Sequence, residues 1–389
     1  KDKKSHFKTI TDTISKNFTI IVLLIAFVST AYWMFVDASK ALNVFTAVLI
    51  IACPCAIALA APFTLGNMLR IFGKQKFYLK NATVVEQLAA IDTIIFDKTG
   101  TLTTNKEDSI SYEGVKFNDV EKSILKSSLR ASNHPLSRTL YANFKDVNTV
   151  EISDFKEVVG KGIEVKYKEK SLKLGSSSFV NETEEKISLD TSVHVSFNDE
   201  YKGKYTFKNS YRKGVKELFN SLQEEYKLSV VSGDNEGERG VLEKNLPKET
   251  TLLFNQKPED KLEVIADLQK LNHKVAMIGD GLNDAGALAQ SDVGIALSEN
   301  INVFSPACDG ILDASKFNKI ETYIKASKKA IQIIKYCFIL SLCYNVVGLY
   351  FAITGQLMPV IAAILMPLSS ISIVVFTTIS TNILGNKIK

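Results

Sequence analysis

Cysteine is scarce, with five residues in 389, three or more of them in uncharged apolar runs. That number and placement exclude the disulfide framework of a small secreted domain and make reduced thiols the expected state. Charge is missing altogether from Phe18–Val36, Ala41–Leu69 and Tyr336–Asn386. A helix needs about 20 apolar residues to cross a hydrocarbon layer roughly 30 Å thick, so these runs exclude a wholly soluble chain. A cleaved signal peptide is a poor reading of the first run, which has full span length and is followed by others. The chain opens on Lys1 and enters a span after a short polar tail, the pattern of a processed or truncated start.

What is present is a chain with 46% apolar residues, enough for two or more domains. The last uncharged run is long enough for two spans with Thr354-Gly355-Gln356 as the turn, so four spans are expected and both ends lie on one side of the membrane. Lysines collect on that side: Lys1, Lys3, Lys4, Lys8 and Lys16 before the first span, Lys74, Lys76 and Lys80 with Arg70 after the second, and Lys325, Lys328, Lys329 and Lys335 before the third. The positive-inside bias places the soluble stretch Arg70–Lys335 and both termini in the cytoplasm of a multi-pass protein in lipid. This accounts for much of the formal +5 charge and leaves no case for nucleic acid.

Within the soluble stretch, Ile91–Phe96 reads as a buried strand that delivers Asp97-Lys98-Thr99-Gly100-Thr101-Leu102-Thr103 to its carboxyl end, where ligands collect in open α/β sheets. A carboxylate followed by a lysine, hydroxyls and a glycine suits a nucleophile that attacks phosphorus. Further strands lead to Ser232-Gly233-Asp234 and to Gly279-Asp280-Gly281-Leu282-Asn283-Asp284, while Lys257-Pro258-Glu259-Asp260-Lys261 opens an amphipathic helix. The hydroxyl and glycine amide suit phosphoryl oxygens, Lys261 suits the transferring charge, and the acidic cluster suits Mg2+. Each alone is also an ordinary turn, loop or solvated helix charge. In this order, at the ends of successive strands, they form the haloacid-dehalogenase-type constellation.

The segment 106–210 changes character and reads as an inserted α+β domain. It carries Ser132-Asn133-His134-Pro135 and Val159-Gly160-Lys161-Gly162, a fixed imidazole and paired glycines suited to a purine nucleotide, although alone a His-Pro is commonly a turn and a Gly-x-Gly a hairpin. In the second span, Cys53-Pro54-Cys55 places two thiols around a proline that opens the helix, so both sulfurs can face one cavity; thiolates suit Cu(I) and, less well, Zn(II) or Cd(II). The plain alternative is two small apolar residues beside a kink. Tyr344-Asn345 and Met366-Pro367-Leu368-Ser369-Ser370 add polar and thioether groups to the last two spans, which hold no carboxylate, a point against Zn(II).

Taken together, these motifs resemble the heavy-metal P-type ATPases of the Cu+ subclass, including the copper pumps of cytochrome-oxidase assembly, over nearly all of the chain. The resemblance implies membrane helices plus an α/β haloacid-dehalogenase-like phosphorylation domain with an inserted nucleotide-binding domain. Its boundaries are expected as a tail 1–17, two spans 18–69, a connector and first phosphorylation segment 70–105, a nucleotide-binding domain 106–210, a second phosphorylation segment 211–317, and a connector with two spans 318–386. It implies Asp97 as nucleophile, with Lys98, Thr99, Ser232, Gly233, Asp234, Lys261 and Asn283 in support. Asp97, Thr99, Asp280 and Asp284 would hold Mg2+; His134, Pro135, Gly160 and Gly162 would hold ATP; and Cys53, Cys55, Tyr344, Asn345, Met366 and Ser370 would line the Cu+ path. A copper chaperone or a copper-accepting oxidase assembly factor is the implied partner. The chain departs from the family at Leu129, where most heavy-metal pumps carry a glutamate, and it shows no actuator Thr-Gly-Glu and no amino-terminal Cys-x-x-Cys, so a fragment is expected. A Zn2+ or Cd2+ pump and a membrane-anchored phosphatase are the alternative readings.

Overall fold

The computed structural model describes residues 6–52, 55–104, 110–132, 134–158, 161–180, 191–207, 210–281, 284–299 and 308–388. Two compact units emerge: 1–97 with 216–231 and 247–389, and 98–215 with 232–246.

The first unit holds a seven-stranded sheet. From one edge to the other its strands are Phe77–Leu79, Gly310–Asp313, Val293–Ser298, Val275–Gly279, Thr93–Asp97, Lys227–Val231 and Thr251–Leu253. All neighbours are parallel except the first pair. Parallel strands covered on both faces require unbroken apolar runs, and Thr93–Asp97 and Val275–Gly279 are buried at every position. Ile95, Val231, Val275 and Met277 pack with Ile265 and Leu288 from helices Pro258–Lys270 and Ala285–Gln290. Phe96, pointing the other way in the alternating strand, meets Phe219 and Phe317 at ring-centroid distances of 4.7 and 6.2 Å. The chain leaves Thr93–Asp97 to build neighbours on either side, so Asp97 stands at the carboxyl end of the strand where the order reverses.

The same unit contains the apolar helices. Ile320–Ile353 and Pro359–Ile388 lie within stretches long and apolar enough to cross a membrane, joined through Gly355 in the left-handed region (φ 70°) at the expected turn. His6–Val36 is a single helix that takes in the first uncharged run. The second uncharged run, expected as one span, is instead two helices, Ala38–Ile51 and Cys55–Lys74. Residues 53 and 54, between the two helices in sequence, lie outside the described residues. Tyr323 joins helix to sheet: its ring stands 4.9 Å from Phe77 and 5.3 Å from Phe72, and its hydroxyl donates to Gln75 O at 2.9 Å. Farther along, Lys328 pairs with Glu225 at 2.8 Å and lies 4.5 Å from the Tyr226 ring centroid.

The second unit is built on a six-stranded antiparallel sheet in the order Ile110–Gly114, Glu200–Phe207, Thr191–Phe197, Lys170–Gly175, Gly162–Tyr167, Asp154–Val158. Helices Asp119–Ala131, capped by a reciprocal Asn118–Glu121 box, and Pro135–Ala142 supply Ile124, Leu125, Leu129 and Leu140 to its core. A short ribbon pairs Thr103–Thr104 with Ser210–Tyr211.

Candidate active site

Asp97 is 4% exposed, and Lys261, near the start of helix Pro258–Lys270, reaches it. Lys261 Nζ donates to Asp97 Oδ1 at 2.6 Å and to Asp284 Oδ1 at 2.7 Å. Burial pushes the Asp97 carboxyl up to about 7, helped by the charge of Asp284 and opposed by Lys261, with Asp280 adding a further push. Asp284 also rises, through burial against the pull of Lys261. Burial works against the charge on Lys261, but the two carboxylates outweigh it and its pKa lies above the ordinary value.

Three carboxylates and one ammonium leave the pocket negative. Among the described residues no three ligand side chains already converge as a formed metal centre, and the Lys261 ammonium bridges Asp97 and Asp284. Among the described residues Asp284 Oδ2 nevertheless has no hydrogen-bond partner, and it is buried. Such an oxygen suits a small hard cation, so Asp284, Asp97 and half-buried Asp280 fit Mg2+. Gly279 gives Asp284 its room: a Cβ there would lie 2.5 Å from Asp284 Oδ2. Asn283 lies outside the described residues.

In the other unit, the loop 98–102 turns through Gly100 at φ 75°, a conformation glycine adopts without steric cost. Lys98 is 1% exposed, and its Nζ pairs with Asp234 Oδ2 and Glu238 Oε2, both at 2.7 Å. Burial disfavours its charge, yet the two carboxylates prevail and raise its pKa. Thr99 Oγ1 donates to Asp234 Oδ2 at 2.9 Å, and Ser232 Oγ accepts from the Asp234 amide at 3.1 Å. Asp234 therefore gathers Lys98, Thr99 and Ser232, with exposed Gly233 between. The residues that sequence reasoning missed are Glu238, Tyr211 and Arg212. They stand more than 100 positions from Lys98 along the chain, with no local pattern to mark them.

A cleft of about 360 Å3 in the inserted sheet is lined by His134, Glu157, Lys161, Gly162 and apolar residues including Leu140 and Ile163. His134 caps helix Pro135–Ala142: its Nδ1 accepts from the Leu136 amide at 3.3 Å, which leaves Nε2 as its remaining ring nitrogen. A Cβ at Gly162 would run into the Leu174 carbonyl, so only glycine permits that strand approach. Gly160 lies outside the described residues, and of Pro135 only the backbone is described. Leu129 is 1% exposed in the core of this unit, which accounts for the apolar side chain there.

Among the apolar helices, a cavity of about 430 Å3 is lined by Ile51, Cys343, Tyr344, Gly348, Leu365 and others. Among the described residues Tyr344 is the expected path residue that lines it, and its hydroxyl donates to Leu365 O at 2.9 Å. Asn345, Met366 and Ser370 are half-buried outside that lining, and Ser369 Oγ donates back to Met366 O at 2.8 Å. Cys53 lies outside the described residues, and Cys55 opens its helix with its side chain undescribed.

The fold and the Asp97 pocket define a class: residues 91–292 match the family described as haloacid dehalogenase-like hydrolase, and the chain belongs to it. More narrowly it is a member of the heavy-metal P-type ATPases. It is similar to the copper-exporting P-type ATPase of Staphylococcus saprophyticus subsp. saprophyticus, with 32% identity over 393 residues, covering 95% of this chain and 49% of that protein. It is 30% identical to the catalytic CPx-ATPase domain CopB-B, with a TM-score of 0.52, over 67% of this chain and 98% of that one. A zinc-transporting PIB-type ATPase in its E2.Pi state shares the fold at a TM-score of 0.74 and 20% identity, over 95% of this chain and 63% of that one. The chain spans about half the length of the curated relatives it matches. With these relatives and two helices fit to cross a bilayer, it is a membrane protein.

Proposed function

We propose that this chain performs the phosphoryl-transfer and membrane steps of ATP-driven Cu+ export, with Ag+ as an accepted surrogate. The observation that carries the reading is the buried Asp97–Lys261–Asp284 arrangement at the switch point of the parallel sheet. ATP is held in the cleft of the inserted domain, assigned here to residues 106–210, with His134, Pro135, Gly160 and Gly162 against the nucleotide. An Asp97 carboxylate oxygen attacks the γ-phosphorus; a new O–P bond forms as the bond to the β–γ bridging oxygen breaks, and ADP leaves. Lys261 favours the ionised Asp97 and offsets the arriving negative charge, while Ser232, Gly233, Asp234, Thr99 and Asn283 support the phosphoryl oxygens. Asp97, Asp280 and Asp284 would hold Mg2+, which would supply positive charge against the transferring group.

Cu+ is the substrate moved. Its path runs past Cys53, Cys55, Tyr344, Asn345, Met366 and Ser370, supported by the soft donors and by the lack of any carboxylate in the last two uncharged spans. The flanking lysines support a multi-pass arrangement in the cell membrane with the soluble units and both termini in the cytoplasm. A copper chaperone or a copper-accepting oxidase assembly factor is the partner on either side of transport. In the protein carrying this chain, ATPase activity is expected to rise with Cu(I) or Ag(I) far more than with Zn(II), and to lose that response in Cys53→Ser or Cys55→Ser. Equal stimulation by Zn(II) would sink the copper assignment in favour of the Zn2+ or Cd2+ reading.

A further inference from the structure

Lys98 is a buried cation with two carboxylates, and one of them has no place in the phosphoryl-transfer set described above. Asp234 sits beside Ser232 and Thr99, but Glu238 lies four residues on, at the end of the turn Glu236–Glu238. Its Oε2 accepts from Lys98 Nζ at 2.7 Å and from the Tyr211 hydroxyl at 3.2 Å. Burial and the neighbouring Glu238 charge raise the Tyr211 pKa, so its phenol remains a donor. Tyr211 ends the strand that pairs with Thr103–Thr104, and the next residue, Arg212, grips the loop by its backbone. Arg212 Nε donates to Thr101 O at 2.7 Å, its Nη2 to Gly100 O at 3.0 Å, and its amide to Leu102 O at 2.8 Å.

The loop that follows Asp97 is thus held at its carbonyls by Arg212 and at its first side chain by Asp234 and Glu238. We propose that Glu238 is a positioning residue for phosphorylation: with Tyr211 it anchors the Lys98 ammonium and so fixes the backbone from which Asp97 is presented. Lys98 accordingly acts as a tie inside the loop, its charge already matched by two carboxylates. This inference rests on the reading of Asp97 as the phosphorylated residue.

The test is phosphoenzyme formation from radiolabelled ATP by the full chain in detergent, with the melting temperature recorded for each variant. Glu238→Gln keeps an acceptor but removes the charge, and a lost charge-assisted contact corresponds to a rate lowered roughly 10-fold, with KM for ATP unchanged. Glu238→Asp restores part of that rate, and Tyr211→Phe lowers it about threefold without adding to the loss in Glu238→Gln. Unchanged phosphorylation in Glu238→Gln, a rise in KM at constant rate, or losses that multiply in the double variant would each overturn the proposal. Should Glu238→Gln not fold, Tyr211→Phe decides alone: slower phosphorylation supports the tie, and a normal rate overturns it. If the unsubstituted chain forms no acid-stable, hydroxylamine-sensitive phosphoenzyme, the Asp97 reading itself fails and takes this inference with it.

Discussion

Two buried lysines, one in each compact unit, are held by two carboxylates apiece at 2.6 to 2.7 Å, yet their surroundings differ in a way that separates chemistry from anchoring. The partners of Lys261 are themselves buried, with side chains 5% and 1% exposed, so neither can be neutralised by water and Asp97 is pushed up to about 7. The partners of Lys98 have side chains 48% and 24% exposed, and Thr99 and Tyr211 share their oxygens. In the first site the lysine is what permits two carboxylates to lie in a dry pocket; in the second, water and hydroxyls do part of that work. The same ion-pair geometry therefore has different energetic weight, set by the dielectric around it.

The largest expected effect is that of Lys261→Met. Without Mg2+ at pH 8 it strands buried carboxylates and should cost about 3–5 kcal/mol of stability by denaturant melting. Added Mg2+ should return part of that loss, because a divalent cation replaces the missing charge. The comparison breaks if Lys98→Met proves the more damaging of the two.

An intermediate effect concerns the raised Asp97 pKa, again without Mg2+. Below about pH 4 Asp97 is protonated in both the folded and the unfolded chain and adds nothing to the pH dependence. Between the ordinary 3.8 and about 7 the unfolded chain ionises while the folded one keeps its proton, so folding loses stability as pH rises, and above 7 the penalty is constant. Asp97→Asn should therefore stabilise the metal-free chain by about 1–3 kcal/mol at pH 8, with the gain shrinking toward zero near pH 4. A gain that grows on acidification would show the sign of this coupling to be reversed.

The smallest effect sharpens the contrast. Lys98→Met should cost about 1–2 kcal/mol, since its exposed partners regain hydration, and Mg2+ should restore none of it. Mg2+ rescue equal to that of Lys261→Met would merge the two sites into one electrostatic unit.

Much of this was legible in the linear order of residues, because its causes are local. Uncharged runs of span length, apolar stretches ending in Asp97, Val231 and Gly279, and Pro258 in the first turn of its helix act over a few neighbours, and the strands and helices appear where those patterns place them. Thr354-Gly355-Gln356 is likewise the turn that a glycine between apolar runs signals. The second uncharged run reads as one span because hydropathy averages over its whole length, whereas two helices, Ala38–Ile51 and Cys55–Lys74, carry it.

Only the tertiary structure decided which charges meet. That Lys261 bridges Asp97 and Asp284, across 164 and 23 positions, depends on a helix returning to the edge of the sheet. That Glu238 reaches Lys98 across 140 positions depends on a loop and a ribbon strand closing around one another. Leu129 shows the same limit, since its burial in the core of the inserted sheet comes from strands far along the chain. Sequence determined the element types and the residue chemistry through short-range pattern; burial and pairing across long separations, and with them every pKa discussed here, arose from packing that no local pattern encodes.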